Sequence, residues 1–570
     1  MQNLFDKASL VMVPSGYDKE AVYNIKPDNK NSAFKFERGS FATRLNKDGI
    51  IEYVGIGEEL ASNNTIVNAG GGVATIDGLS VSASSDGTAS SSIRPKIEFN
   101  NLVNGEVYII KFSNIVTTGT IGFSLYNGSS YEFNQSSEIP FSCIFTKNSG
   151  SVAFIAFNGN NTFTANFDIS LKQISNDTPR IDYSSGEGAL LLEPSRTNNI
   201  RGSEIDDYDF GWRAKGGNLN VQGMSKTASY DPELGSLVFT ISESDQNEQH
   251  RIISGSGYET PFSGTKTHAI SFLIKGDGIR YIRPLNISGF VDLQDGTNTV
   301  EQHVANDLDV ISFKSEMKSN GYVKIEYVIT HTNSTVTSAK YIIFFAMEQN
   351  SDPNDTTYLG DPNRSVKISQ IQIEEGTFPT SYIPGTGTLI TRNPDLCYEA
   401  GDASLFNDSE GVLYAEIRND AFTINTDYSF LSVSDGSTSD RVSIGFQLNN
   451  NKFYLAARGS SADIFAVQTI DFITGQYYKI AIKYKNGDNA IWINGVEVHS
   501  NTATGTITGL DRISFNYSTK TTFPHEGNLT KAVCYFPEIL TDEELQRLTS
   551  TSEDATTFTE LADNNSYTIL

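Results

Sequence analysis

The chain has 570 residues, 38% of them hydrophobic and 19% charged, with a net charge of −26 and a sequence pI near 4.6. At roughly 150 residues per domain this length predicts several modules in series, because a single core does not grow so large. The composition excludes a disordered chain or a coiled coil, and so acidic a surface repels phosphate backbones, so nucleic acid is not an expected partner.

The longest apolar runs, VAFIAF and YIIFFAM, fall far short of the ~20 residues that span a bilayer, so no membrane insertion is expected. The opening MQNLFDKASLVMVPSG has Asp6 and Lys7 ahead of a short apolar run. It lacks the basic start and long apolar stretch of a secretory signal, so synthesis in a cytoplasm is expected. The six histidines are scattered without a motif. Cys143, Cys397 and Cys534 are far apart and odd in number, which fits buried thiols rather than disulfides or a zinc site. No cofactor or metal is expected.

Taken in chain order, the first strong element is the hairpin FATRLNKDGIIEYV, whose Lys47-Asp48-Gly49 corner supplies residues that accept positive φ. Residues 58 to about 100 are rich in Ser, Asn, Gly, Ala and Thr and read as thin strands and loops with little core. From Ile97 onward, short runs alternate apolar and polar residues: VYIIKF, TIGFSLYNG, FDISLKQI, HAISFLIKG, YVKIEYVIT, VKISQIQIEEG and YKIAIKYKNG. Rich in Ile, Val, Tyr and Phe and broken by turn residues, they predict half-buried antiparallel strands of sandwiches. The stretches 58–176 and 201–384 each close on a strand of Ile/Leu alternation, ANFDISLKQISND and RSVKISQIQIEEG, and read as two jelly-rolls of one design.

Toward the C-terminus, Asn486-Gly487 and Asn494-Gly495 mark successive hairpin turns. LTDEELQRL then predicts a helix with Thr541 as N-cap, Glu544 completing a capping box, and Leu540 with Leu545 as a hydrophobic staple. A second short helix is weakly suggested around 552–561. The fold class is all-β, with several antiparallel jelly-roll or β-sandwich domains in series and one short helix near the C-terminus.

Several phrases carry a resemblance. SLVMVPSGY, FKFERGSFATRLNKDGIIEYVG and PRIDYSSGEGALLLEPSRTNNI resemble a module of structural proteins of tailed phages that infect Bacteroidetes, including crAss-like phages. The matching elements are a Phe-x-Arg-Gly-Ser-x-Ala-Thr-Arg hairpin at 36–44, Pro-Arg-Ile-Asp-Tyr at 179–183 and Leu-Leu-Leu-Glu-Pro-x-Arg-Thr-Asn at 190–198. In that pattern the hairpin and the Pro-Arg-Ile-Asp-Tyr strand lie close together, whereas about 120 residues separate them here. The segment EEGTFPTSYIPGTGTLITRNPD looks like the end of a carbohydrate-binding-module-like jelly-roll. The phrases GQYYKIAIKYKNGDNAIWINGVEV and FPEILTDEELQRL resemble a concanavalin A/laminin-G-like sandwich.

The resemblance implies 1–57 plus 178–200 as a discontinuous attachment module interrupted by an inserted jelly-roll at 58–177. It also implies a carbohydrate-binding-module-like jelly-roll at 201–390, a laminin-G-like sandwich at 391–557 and a tail at 558–570. The function it implies is a non-enzymatic virion fibre or spike protein, on head or tail, and a homotrimer. Its partners would be other virion proteins and host surface glycans. The other readings are a glycan depolymerase and a purely architectural decoration protein.

No nucleophile elbow, P-loop or dinucleotide fingerprint is present. Glu204, Asp206, Asp207 and Asp209 resemble the carboxylate strand of laminarinase-type enzymes. The last acid is Asp and the segment reads as a loop, so no catalytic residue is assigned. Asp352, Asn354, Asp355 and Asp361 offer oxygens for calcium, but the loop lacks EF-hand spacing and a solvated loop is preferred. Trp212 and Trp492 suit sugar stacking, yet core packing is the preferred reading for both. Tyr258, Tyr358 and Tyr382 read as exposed loop tyrosines. Arg44 and Arg196 are expected to tie the first module together through Asp182 or Glu193. No glycan-binding residue is assigned.

Overall fold

A computed structural model describes residues 2–551 apart from 15, 69–70, 89–94, 137–138, 159, 201–218, 223, 232, 249, 255–265, 284–288, 301–303, 306–307, 332–343, 349–357, 386–388, 422–427 and 519–526. The expected fold class holds: the elements are overwhelmingly antiparallel strands in stacked sheets, and among the described residues the helices are short ones at Gln2–Lys7 and Asp542–Thr549 and one turn of 3-10 helix. No described helix is long and apolar enough to cross a membrane. The chain forms two compact units, Met1–Val54 with Asn176–Arg196 and Arg392–Leu570, and Gly55–Ser175 with Thr197–Thr391.

The first unit is built around one strand, Asn528–Phe536. On one side it pairs with Glu410–Asn419, which leads on to Tyr477–Lys485, Asn489–Ile493 and Val496–Asn501. Its other side is shared between two distant segments. Ala189–Leu192 takes residues 528–530 and Leu10–Met12 takes residues 533–535. The facing sheet runs Ala462–Val467, Lys452–Gly459, Arg441–Gln447, Tyr428–Ser434, Arg512–Ser514. Phe453 of that sheet meets Tyr478 of the larger one edge-on, ring centroids 5.1 Å apart.

Sequence reading kept the N-terminal module apart from the 391–557 sandwich. The hydrogen bonds join them instead: Leu10–Met12 and Ala189–Leu192 complete the larger sheet, and Leu396–Tyr398 pairs with Phe34–Glu37. The reason lies in burial. Glu410–Asn419 and Asn528–Phe536 are buried on both faces, so the sheet needs a second cover. Leu4, Ala8, Val11 and Val13 supply it with Leu545 and Leu548, packed on Tyr414, Trp492, Cys534 and Phe536.

Local chemistry produced the expected local elements. The 43–53 hairpin closes on Gly49 at φ +76°, and Asn46 Oδ1 accepts from the amides of Asp48 and Ile50, 3.0 Å each. Asn494 and Gly495 both have positive φ, +50° and +83°, as a two-residue hairpin turn that matches strand twist requires. Thr541 caps Asp542–Thr549 reciprocally with Glu544, and Leu540 and Leu545 are buried beneath it. The 552–561 segment lies outside the described residues.

In the second unit, residues 55–175 form a sandwich. One sheet runs Ser142–Thr146, Val107–Gly119, Thr162–Ile174, Ser80–Asp86, Gly72–Asp77, with Ile56–Glu59 added to Thr162–Ile174. The other runs Tyr131–Ser136, Phe123–Tyr126, Ala153–Phe157, Lys96–Phe99, Asn64–Val67. Phe99, Phe112, Phe123, Phe145, Phe157, Phe163 and Phe167 fill the space between them. The 58–100 stretch, expected to contribute little, supplies full strands. Ala74, Val81 and Ala83 point inward, where small side chains leave room for the facing phenyl rings.

Residues 219–375 form the other sandwich of this unit. Its larger sheet runs Met224–Asp231, Ser236–Glu243, Ser365–Glu375, Thr267–Asp277, Val323–His331, Leu308–Met317, Val304–Ala305. The two closing strands singled out in the sequence, Thr162–Ile174 and Ser365–Glu375, are each paired along both edges in the larger sheet of their sandwich.

Candidate functional site

The recognisable motifs of the first unit converge on a buried ionic cluster. Arg38 follows the strand Phe34–Glu37, Arg180 opens the strand Arg180–Asp182, Glu193 follows its partner strand Ala189–Leu192, and Arg392 and Asp395 precede Leu396–Tyr398. Arg180 Nη1 donates to Glu193 Oε2 at 2.6 Å and Arg180 Nη2 to Asp395 Oδ2. Arg38 Nη1 donates to Asp395 Oδ1 at 3.1 Å, and Arg392 Nη1 lies 3.0 Å from Glu193 Oε2. Backbone amides close the ring: Glu193 N donates to Asp395 Oδ2 and Asp395 N to Glu193 O, both at 2.9 Å. Arg180 and Arg392 are 0% and 1% exposed.

Desolvation pulls the Arg38 guanidinium down to about 10; Asp395 opposes this, while Arg180 and Arg392 add to it. For Arg180 burial acts in the same sense but is outweighed by Asp395 and Glu193, and its pKa rises. All five side chains of the cluster are buried and engaged with one another. It is a clamp that binds segments far apart in sequence.

Arg44 and Asp182 find partners other than the expected ones. Arg44 pairs with Glu52 at 2.8 Å and donates to Ile181 O, and Asp182 accepts from the amides of Leu45 and Ser184. Glu193 serves Arg180 and Arg392, and Arg196 Nη1 donates to Ser195 O. Trp492 is 8% exposed and packs under the C-terminal helix, as the core reading expected. Tyr358 and Tyr382, expected in exposed loops, are each 7% exposed. Tyr358 donates to the buried carboxylate of Glu243, which explains its inward turn. Asp361 Oδ1 accepts from Asn363 N and Nδ2; Asp352, Asn354 and Asp355 lie outside the described residues, as do Glu204, Asp206, Asp207, Asp209, Trp212 and Tyr258. Among the described residues no group of His, Cys, Asp and Glu is placed to hold a metal. All three cysteines are buried and unbridged, and burial raises their thiol pKa values.

An aromatic surface lies on the 55–175 sandwich, on the outer face of its five-stranded sheet. Alternation sends Ile97, Phe99, Leu125, Ala153 and Ile155 inward, which turns Lys96, Glu98, Tyr126 and Phe154 outward. Register aligns Tyr131 with Tyr126, Tyr126 with Phe154, and Phe154 with Glu98. The result is a row of rings running across the strands. Tyr126 and Phe154 stack at 4.9 Å and 24°, and Tyr131 leans on Tyr126 at 5.1 Å and 59°. Lys96 Nζ sits 4.8 Å over the Phe154 ring and 3.8 Å from Glu98. With Ser151 and Val152 these residues line a shallow groove of about 620 Å³; Tyr131 and Val152 are each 42% exposed.

Sequence reading missed this row. The signal was VAFIAF, whose first aromatic, Phe154, must face outward once Ala153 and Ile155 face the core, but only the register shows which neighbours flank it.

No family model matches the chain and no curated protein matches it. Solved structures similar to it include a heptameric SAP-like pentraxin from Limulus polyphemus, at 13% identity, 26% of this chain, 74% of that chain and TM-score 0.21. A Trypanosoma rangeli sialidase in complex with the inhibitor DANA aligns at 9% identity over 92% of this chain and 98% of that chain, TM-score 0.23. The N-terminal CBM22-1-CBM22-2 tandem domain of Paenibacillus barcinonensis Xyn10C aligns at 10% identity over 60% and 98%, TM-score 0.17.

Proposed function

We propose that this chain is a non-enzymatic attachment protein of a tailed-phage virion and holds host surface polysaccharide on the Tyr131–Tyr126–Phe154 row. The row carries the reading. Three rings on adjacent strands, with strands about 4.8 Å apart, offer an apolar strip roughly two sugar rings long. The C–H faces of pyranoses pack on such strips, while Lys96, Glu98 and Ser151 stand ready for hydroxyl groups. The virion assignment rests on the motif resemblance, and the interlocked first unit suits a stiff mounting block. Its edge strand Val496–Asn501 ends the larger sheet with Val496 and Val498 exposed, an edge that self-association into a trimer would cover.

The test is retention of the full chain on immobilised capsular polysaccharide from the host bacterium, with release of reducing ends followed in parallel. Binding weakened about tenfold by Tyr126→Ala or Phe154→Ala, without new reducing ends, supports the reading. New reducing ends would favour the depolymerase, and no retention at all the decoration protein. Gold-labelled antibody on intact virions tests the location.

A further inference from the structure

The second unit contains another cavity, distinct from the aromatic row. It measures about 420 Å³ and is lined by Ser80, Lys111, Ser113, Phe141, Asp168 and Tyr230 among others, with the buried Phe112 and Ile169 as its floor. It lies where the two sandwiches of this unit meet: Phe141 packs against the core of the 219–375 sandwich, and Tyr230 comes from that sandwich's strand Met224–Asp231.

Asp168 sits in the long strand Thr162–Ile174 between Ser80 and Ser113, its register partners on the two neighbouring strands. Its carboxylate is held from both sides. Ser80 Oγ donates to Oδ1 at 2.5 Å and Asn114 Nδ2 donates to Oδ2 at 2.6 Å. The second contact depends on an irregularity. The pairing of Val107–Gly119 with Thr162–Ile174 slips between Ser113 and Val116, and Asn114 takes φ +52° within that bulge. A bulge re-aims a side chain out of the regular alternation, and here the re-aimed amide reaches the carboxylate that faces the cavity. Both hydrogen bonds favour the ionised form, so Asp168 stays a charged acceptor with its remaining lone pairs available. Across the cavity, Lys111 Nζ lies 5.2 Å from the centre of the Tyr230 ring and 3.3 Å from its hydroxyl.

We propose that this cavity is a second binding site, for a neutral saccharide of one or two rings. The volume suits a small polar ligand. The fixed carboxylate accepts from adjacent hydroxyls, Lys111 donates to a ring or hydroxyl oxygen, and Phe141 and Tyr230 face the C–H side of the sugar. An anionic ligand would meet Asp168 and a chain of net charge −26, and a cation would meet Lys111. Neutral hydroxyl-rich ligands escape both repulsions.

Saturation-transfer NMR on the full chain tests this with glucose, galactose, mannose, N-acetylglucosamine, lactose and cellobiose at millimolar concentration. At least one sugar should give a signal that weakens tenfold or more in Asp168→Asn, Lys111→Ala and the blocking variant Ser113→Trp, yet persists in Phe154→Ala. Thermal melting checks that each variant stays folded, and Asp168→Asn preserves the side-chain shape. Silence from every sugar overturns the proposal, as does a signal untouched by Asp168→Asn and Ser113→Trp or abolished by Phe154→Ala. Polysaccharide retention on the aromatic row is a separate readout, so the two readings fail independently.

Discussion

The first unit and the 55–175 sandwich solve the same problem of joining strands with opposite chemistry. In the first, Arg38, Arg180 and Arg392 are buried against Asp395 and Glu193, and the ion pairs fix which distant segments meet. In the second, seven phenylalanines fill the core and Tyr126, Tyr131 and Phe154 are left on the outside. The comparison teaches that the residues which read as motifs serve the framework. The surface proposed to bind is drawn from sequence that reads as ordinary strand.

The harshest way to break this contrast is to remove one shared carboxylate. Asp395→Ala leaves the buried Arg38 without its carboxylate and Arg180 with Glu193 alone, and a loss of about 3–5 kcal/mol is expected in the denaturation of the first unit. A loss below about 1 kcal/mol would mean that the cluster is not the clamp described here. Phe123→Ala makes the matching cut in the other region, where a cavity in the aromatic core should cost about 3–5 kcal/mol. Its effect should be confined to the transition of the second unit, read by hydrogen exchange across 55–175.

Phe154→Ala sharpens the comparison, because the same residue type on the outer face should cost no more than about 1 kcal/mol while polysaccharide retention falls. The smallest effect concerns pH. Burial raises the Glu416 carboxyl above its ordinary 4.5, with Lys479 and Lys531 opposing. The folded chain then holds that proton more tightly than the unfolded one. The contribution to stability is complete below the ordinary value and is lost as pH rises through the folded value. Glu416→Gln should flatten that part of the stability profile, and an unchanged slope from pH 4.5 towards neutrality would count against it.

Legibility followed the range of the interactions. The Asn46–Gly49 corner, the Asn494-Gly495 turn and the Thr541 cap are decided within a few residues, so the sequence is enough to find them. The joining of 1–54 to 392–570 depends on Leu10 meeting Tyr535 and Phe36 meeting Cys397, pairings that leave no trace in local periodicity. The weight of 58–100 was missed because Ala74, Val81 and Ala83 look too small for a core until the phenyl rings opposite them are known. The aromatic row was hidden for a related reason: alternation assigns Phe154 to a face, and only register brings Tyr126 and Tyr131 beside it.

The strand Asn528–Phe536 has a consequence for synthesis on the ribosome. Leu10–Met12 and Ala189–Leu192 emerge early, but the edge they pair with is made more than 300 residues after the later of them. At about 5–20 residues per second, the strand at 10–12 waits roughly 30 to 100 s for its partner. During that interval the sandwiches at 55–175 and 219–375 can close with no contribution from the last strand. Translation order therefore makes the sandwiches of the second unit first and the frame last, and leaves the early apolar strands as natural clients for a chaperone until the frame shuts.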